Sequence, residues 1–357
     1  MSVEQERRAR AAAAFGDRFD ALYVTGSHNV RYLTGFTGSN GALFLLRDGR
    51  AVFFTDPRYT VASKSQVNCR IVIVRGPLAK AALTEIARAR VLRIGFEQDQ
   101  LTFAQFEGLK SGLSLGADLI PVSGLVERLR MVKDADETAR IKASVLSNSR
   151  ALELALKRFK TGMTESDFAA EIDHQNRKLG AEGPAFDTIV AAAERAALPH
   201  SQPGAAKIGA GILLVDMGAF RSGYASDMTR MVYVGRADAK YKRAYKAVLE
   251  AQLAAIDAIR PGVSTGAVDR AARSTLKKHG LEKEFVHSTG HGLGLEIHEM
   301  PRIGRKDKTK LEAGMAITVE PGVYIEGWGG IRIEDTVIVT ETGCEILTPT
   351  SKELREI

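Results

Sequence analysis

The chain has 357 residues, a length that favours two domains, each able to bury a core of its own. Its 45% hydrophobic and 26% charged content is that of an ordinary globular protein and excludes a fibrous or disordered chain. The net charge of +7 raises the question of nucleic acid, but Lys and Arg are spread along helical stretches such as 157–160, so we expect a solvated basic surface and no nucleic-acid partner.

Residues 1–15 mix Glu4, Glu6, Arg7, Arg8 and Arg10 with an alanine run, without an apolar stretch ending in a small-residue cleavage site, so secretion is not expected. The longest apolar runs, such as 42–46 and 211–215, fall far short of the ~20 residues a spanning helix needs, and no membrane partner is expected. Cys69 and Cys344 lie far apart, neither beside a His or another Cys, which reads as two reduced thiols in a cytoplasmic protein.

Residues 20–59 read as strands and turns: DALYVTG, NVRYLTGFTGSNG, ALFLLRDG and AVFFTDPRY, punctuated by Gly and Asn. Helical segments at 76–89 and 102–113 alternate with the strands VLRIGFE and ADLIPV, which implies a small α/β domain. A charged run free of Gly and Pro, ERLRMVKDADETARIKAS, then opens one long helical region towards Arg158. The domain boundary is placed at 130, giving domains 1–130 and 131–357. Further helices are expected at 164–179, where T-E-S-D supplies an N-cap and acid, at 240–259 and at 264–279.

In GILLVDMGAFRSGYASDMTRMVYVG, two apolar runs flank a Gly-containing turn, and each carries an aspartate, Asp216 or Asp227. A hairpin sets such carboxylates side by side, where they repel unless they share a proton or a cation. The alternative is that both sit in solvated turns. AITVEPGVY and GGIRIEDTVIVT form a second candidate hairpin carrying Glu320 and Glu334, with Ile317, Val319, Ile331 and Ile333 on the opposite face. Two acid-bearing hairpins, each with its helices, suggest a pseudo-twofold antiparallel sheet with four carboxylates at its centre.

Ionised carboxylates withdrawn from water cost several kcal/mol each. Two divalent cations would balance four of them, and paired metals activate water for hydrolysis. A further ligand candidate comes from VHSTGHGLGLEIHEMP, which places His287, His291 and His298 within twelve residues of a chain that has only seven histidines. His291 stands between Gly290 and Gly292, which leaves little side-chain bulk around its imidazole. Oxygen-rich ligands with one imidazole suit Mn2+, with Co2+ or Zn2+ as alternatives.

The motifs VDMGA, GYASDMTR, HSTGHGLGLEIHE, VEPGVY and GGIRIED, in that order within about 137–345, resemble those of the pita-bread metallopeptidases that include aminopeptidase P and prolidase. NVRYLTGFTGSNGA and FTDPRY are similar to the accessory domain of that family. The resemblance implies an α/β (α+β) protein: a creatinase-like N-terminal domain followed by a pita-bread domain with flanking helices. It implies that Asp216 serves one metal, His291 and Glu320 the other, and that Asp227 and Glu334 bridge both. Glu320 would also shuttle a proton, His200 and His298 would hydrogen-bond the carbonyl oxygen and the tetrahedral intermediate, and His287 and Arg332 would position the prolyl residue and its following carbonyl or carboxylate.

For Arg332 the alternative is an ion pair with an acid. Family members more often show Ser or Gly and an Asn before the Ala-Leu-Pro-His that ends at His200, whereas this chain has Ala192, Ala193, Glu194 and Arg195. The implied activity is removal of the N-terminal residue from short peptides with proline second, an Xaa-Pro aminopeptidase, with Xaa-Pro dipeptidase as the alternative and a homodimer as the implied assembly. A metal-free binding module and a metal-independent amidinohydrolase of the creatinase kind are disfavoured, because all five ligand positions are filled.

Overall fold

A computed structural model describes residues 1–357, which divide into two compact units, Met1–Arg130 and Met131–Ile357. The first begins with α1 (Val3–Ala13), whose capping box joins Ser2 and Gln5. It continues through β1 (Ala21–Val24), α2 (Ser27–Thr34), β2 (Gly41–Leu46), β3 (Ala51–Thr55), α3 (Thr60–Gln66) and β4 (Arg70–Ile73). Then come α4 (Leu78–Ala89), β5 (Arg93–Glu97), α5 (Phe103–Ser111), β6 (Asp118–Val122) and α6 (Leu125–Met131).

Its sheet has six strands in the order β4-β3-β2-β1-β5-β6. Tyr23, Phe44, Phe54 and Ile94 pack on Ile86 and Leu109 from α4 and α5. One segment differs from expectation, because NVRYLTG is helical. Val30, Leu33 and Thr34 recur at helical spacing, and Gly35, at φ 78°, supplies the left-handed cap that ends α2. The β-prone Val, Tyr and Thr of this stretch yield to tertiary packing of that helical face.

The expected continuous helix across 127–158 is two helices. Asp134 stops it: its side chain accepts from Glu137 N and starts α7 (Ala135–Leu156) with a new capping box. In the second unit α7 is followed by α8 (Glu165–Lys178), β7 (Gly183–Pro184), β8 (Ile189–Ala192), β9 (Gly211–Met217), β10 (Ala219–Arg221), β11 (Tyr224–Ala225) and β12 (Met228–Val234). The later half holds α9 (Ala239–Asp257), α10 (Thr265–Lys278), β13 (Gly290–Gly292), β14 (Glu299–Ile303) and β15 (Ala316–Val319). β16 (Gly322–Ile325), β17 (Gly329–Arg332), β18 (Asp335–Val339), β19 (Cys344–Ile346) and β20 (Arg355–Glu356) complete the chain.

Each half places a helix pair on an antiparallel sheet. Leu152, Phe168 and Ile172 of α7 and α8 bury the face of β8, β9 and β12 that carries Val190, Leu213, Val215 and Val232. Val248, Val268, Ala272 and Leu276 of α9 and α10 cover Ile317, Val319 and Val337 of β15 and β18. β9 pairs β12 with Asp216 opposite Thr229.

The expected second hairpin exists but is broken into two ladders, β15 with β18 and β16 with β17. The break falls at Glu320–Pro321 on one side and Ile333–Glu334 on the other. Pro321 has no N–H to give to a ladder, so the chain bends there and both acids leave the plane of the pairing.

β13 runs between β14 and β15. A Cβ at Gly290 would come within 2.0 Å of Thr318 O, and one at Gly292 within 2.2 Å of Met300 O. The glycines around His291 therefore serve close backbone approach between strands rather than access of an ion to the ring. We expect Gly290→Ala to destabilise the protein by about 2–4 kcal/mol, because the obstacle is backbone and cannot rotate away. A denaturant midpoint unchanged from wild type would contradict this.

Candidate metal centre

Five side chains converge from five places along the strands. Asp216 lies on β9, Asp227 just before β12, His291 on β13, Glu320 after β15, and Glu334 between β17 and β18. Donor atoms of Asp227, His291 and Glu334 all lie within 4.8 Å of one another. His291 Nε2 stands 3.4 Å from Asp227 Oδ2 and 3.5 Å from Glu320 Oε1. The opposite ring atom, Nδ1, donates to Gly292 O at 3.0 Å, which fixes the tautomer and aims Nε2 at the acids.

Each acid is oriented from behind. Thr229 Oγ1 donates to Glu334 Oε2 at 2.8 Å and accepts from Arg332 Nε at 3.0 Å. Glu320 is held through its backbone, its N–H donating to Thr289 O at 2.8 Å. Arg332 Nη2 donates to Asp216 Oδ2 at 2.6 Å, while Asp216 Oδ1 is buried with no hydrogen-bond partner.

Burial dominates the electrostatics. Asp216, Asp227 and Glu334 are 8%, 5% and 1% exposed, so water stabilises none of their charges. Burial raises Asp227 to about 7, with the His291 hydrogen bond opposing and the Asp216 and Glu320 charges adding. Glu334 is pushed well up by burial and by Asp227 and Glu320. For His291 burial lowers the imidazolium, but the Asp227 hydrogen bond and the Glu320 charge outweigh it and raise the ring to about 9. A carboxylate cluster without a cation between its members therefore retains protons at neutral pH.

These residues line one cleft of about 740 Å³ together with His200, His287, His298, Arg302 and Arg332. His200 and His298 are exposed to it, and the His298 ring stands edge-on to His291 at 4.4 Å. Arg332 pairs with Asp216, as its alternative reading held, and is almost fully occupied. Its Nη1 also donates to Tyr324 Oη at 2.5 Å and Pro199 O at 3.3 Å.

Tyr324 Oη is 2.9 Å from His287 Nε2, and His287 Nδ1 donates to Ser288 O at 2.8 Å. Both His287 nitrogens are thus engaged, and burial, followed by the Arg332 charge, lowers the ring to about 4, so it is neutral. Arg332, Tyr324 and His287 form a relay of fixed polarity along one wall.

Two residues of this wall and rim were missed in the sequence. Tyr324 was visible in VEPGVY but had no chemical partner until β16 and β17 paired. Arg302 faces His291 across the β13–β14 ladder, lines the cleft and is exposed with no ion pair or side-chain hydrogen bond. The departure at 192–195 also acquires a role. Arg195 donates to fully buried Glu165 at 3.0 Å, and to Ser201 Oγ at 3.1 Å and Gln202 O at 2.6 Å. Arg195 thereby staples the segment that carries His200.

The same architecture recurs among known proteins. The model of metallopeptidase family M24 matches residues 139–341, and that of the creatinase/prolidase N-terminal domain matches residues 7–132. The chain belongs to metallopeptidase family M24, and its fold is the pita-bread fold of that family with the creatinase-type domain before it. A solved Xaa-Pro dipeptidase from Bacillus anthracis superposes with a TM-score of 0.96 at 38% identity, over 99% of this chain and 100% of its own.

An X-Pro aminopeptidase from Thermotoga maritima MSB8 gives 0.91 at 33% identity, over 98% of this chain and 100% of its own. The Xaa-Pro dipeptidase of Pyrococcus furiosus is 34% identical over 338 residues, 94% of this chain and 95% of the relative. The chain is therefore a peptidase. No helix is long and apolar enough to cross a membrane.

The raised carboxyls and imidazolium lead to a measurable linkage. At pH 7 the metal-free cluster holds protons that a divalent cation must displace, so titration with Mn2+ is expected to release protons. Calorimetry in buffers of different ionisation enthalpy would show a heat that scales with the buffer; a buffer-independent heat would contradict the linkage.

Proposed function

We propose that this chain hydrolyses the Xaa-Pro bond of dipeptides with two divalent ions held by Asp216, Asp227, His291, Glu320 and Glu334. The observation that carries the metal reading is a buried donor set that is incomplete by itself. Asp216 Oδ1 has no partner, and Asp227, His291 and Glu334 point their donor atoms into one space. The set is four carboxylates and one imidazole, which fits Mn2+, Co2+ or Zn2+. Such ions would polarise the scissile carbonyl and lower the pKa of water.

The protein groups do the remainder. Glu320, half-buried beside His291 and anchored by its backbone, takes the proton lost by the attacking water and passes it to the departing prolyl nitrogen. His200 and His298 present free ring edges to the cleft and donate to the developing oxyanion. Arg332 fixes Asp216 by its hydrogen bond, and Tyr324 and His287 hold Arg332 in turn. The substrate amine sits near Asp216.

The choice between dipeptide and longer peptide rests on Arg302. An unpaired guanidinium that lines the same cleft as the acid cluster is placed to take the free carboxylate that follows proline in a dipeptide. Two of the three similar proteins described above are Xaa-Pro dipeptidases, which supports the same preference. The aminopeptidase reading is the second one, favoured by the likeness to the Thermotoga maritima enzyme. A homodimer belongs to the proposal; light scattering that gives one 38.6 kDa chain would remove it.

Parallel assays with Xaa-Pro and Xaa-Pro-Yaa test the choice. We expect faster turnover of the dipeptide, and Arg302→Ala should raise its KM about 10–100-fold with kcat little changed, the effect of losing one charge-assisted contact. Equal loss on the tripeptide would move the assignment to the aminopeptidase. Asp227→Ala should remove both bound metal and activity, and a variant keeping both would refute the metal reading.

A further inference from the structure

The two acids read as bridging the metals are held by their backbones as well as by their side chains, and both holds lead to the same stretch of chain. Thr336 Oγ1 donates to Asp227 O at 2.9 Å. Its own backbone N–H donates to Thr348 Oγ1 at 3.0 Å. Arg230 Nη1 donates to Glu334 O at 2.5 Å and to Thr229 O at 3.0 Å. Its Nη2 donates to Asp335 Oδ1 and to Thr350 O, both at 2.7 Å.

Thr229 and Arg230 point to opposite faces of β12. One therefore orients the Glu334 carboxylate while the other fixes the Glu334 carbonyl.

The segment 348–357 is itself tied down. Lys352 Nζ donates to Asp335 Oδ2 at 2.7 Å, and Gln252 Nε2 of α9 reaches the same oxygen at 2.9 Å. Tyr245 Oη donates to Lys352 O at 2.9 Å, β20 pairs in parallel with β12, and Arg355 bridges Glu153 of α7 at 2.7 Å. Arg230 and Asp335 are 4% and 0% exposed. Two cations thus face one carboxylate directly behind the acid cluster, adding positive potential where the cluster needs it.

We propose that the C-terminal strap, residues 348–357, is a positioning element of the metal centre, acting through Arg230 and Thr336 on the backbones of Glu334 and Asp227. This inference rests on the metal assignment made above. Arg230 is a positioning residue: it touches neither substrate nor ion, and it transmits the place of the strap to Glu334. A strap that only closed off the sheet would leave metal affinity alone.

The test is Mn2+ affinity of the full chain by competition with a chelator, at a temperature where circular dichroism shows every variant folded. Arg230→Lys keeps a charge opposite Asp335 but cannot reach Glu334 O and Thr350 O together, because it lacks the planar fork. We expect its Mn2+ dissociation constant to rise about 10–100-fold, the usual cost of losing a partner that orients a ligand. Lys352→Met, altered only on the strap side, should move it in the same direction and carries the test if Arg230→Lys does not fold. Affinity within twofold of wild type in the folded variants overturns the strap's role while leaving the metal reading intact. A wild-type chain that takes up no Mn2+ overturns both.

Discussion

Mutual repulsion among Asp216, Asp227, Glu320 and Glu334 is the constraint around which the second unit is organised. Four carboxylates withdrawn from water face two cationic groups of the protein, Arg332 and His291, so proximity alone leaves charge uncompensated. Burial sends Asp227 and Glu334 towards their protonated forms, which is how the protein tolerates the cluster without ions. Divalent cations exchange those protons for a stronger compensation. The same charges that make the cluster costly make it a site.

Holding such a cluster open requires rigidity behind each acid. Thr229 serves Glu334 and Arg332 at once, so one hydroxyl couples the two hairpins. Arg332, Tyr324 and His287 form a chain of bonds that ends on a backbone carbonyl, so Asp216 has its partner fixed before substrate arrives. The Gly290 and Gly292 contacts let β13 lie close enough to its neighbours for His291 to reach the acids. None of these groups performs chemistry, yet each restricts where the reactive atoms can be.

Much of this was legible along the chain. Asp216 and Asp227 were marked by apolar runs on either side of a turn, and β9 and β12 do pair there. The apolar alternation that set Ile317, Val319, Ile331 and Ile333 opposite the acids is the packing seen against α9 and α10. The helix at 27–34 was misread because Val, Tyr and Thr carry a β bias that a helical face can override once it is buried. The break at Asp134 was missed because a capping box inside a charged run looks like more helix.

Local pattern thus specified the residue types of the centre, the order of its acids and histidines, and the strands that bear them, since periodicity and turn chemistry act between near neighbours. It left undecided whether Arg332 meets substrate or acid, whether His287 has a free ring nitrogen, and which groups Arg195 meets. Those answers depend on atoms that only the folded chain brings together, from Arg195 on Glu165 to Arg332 on Asp216, a pair more than 100 positions apart. Arg302 shows the same limit: only the β13–β14 register sets its unpaired charge across from His291 in the lining of the cleft.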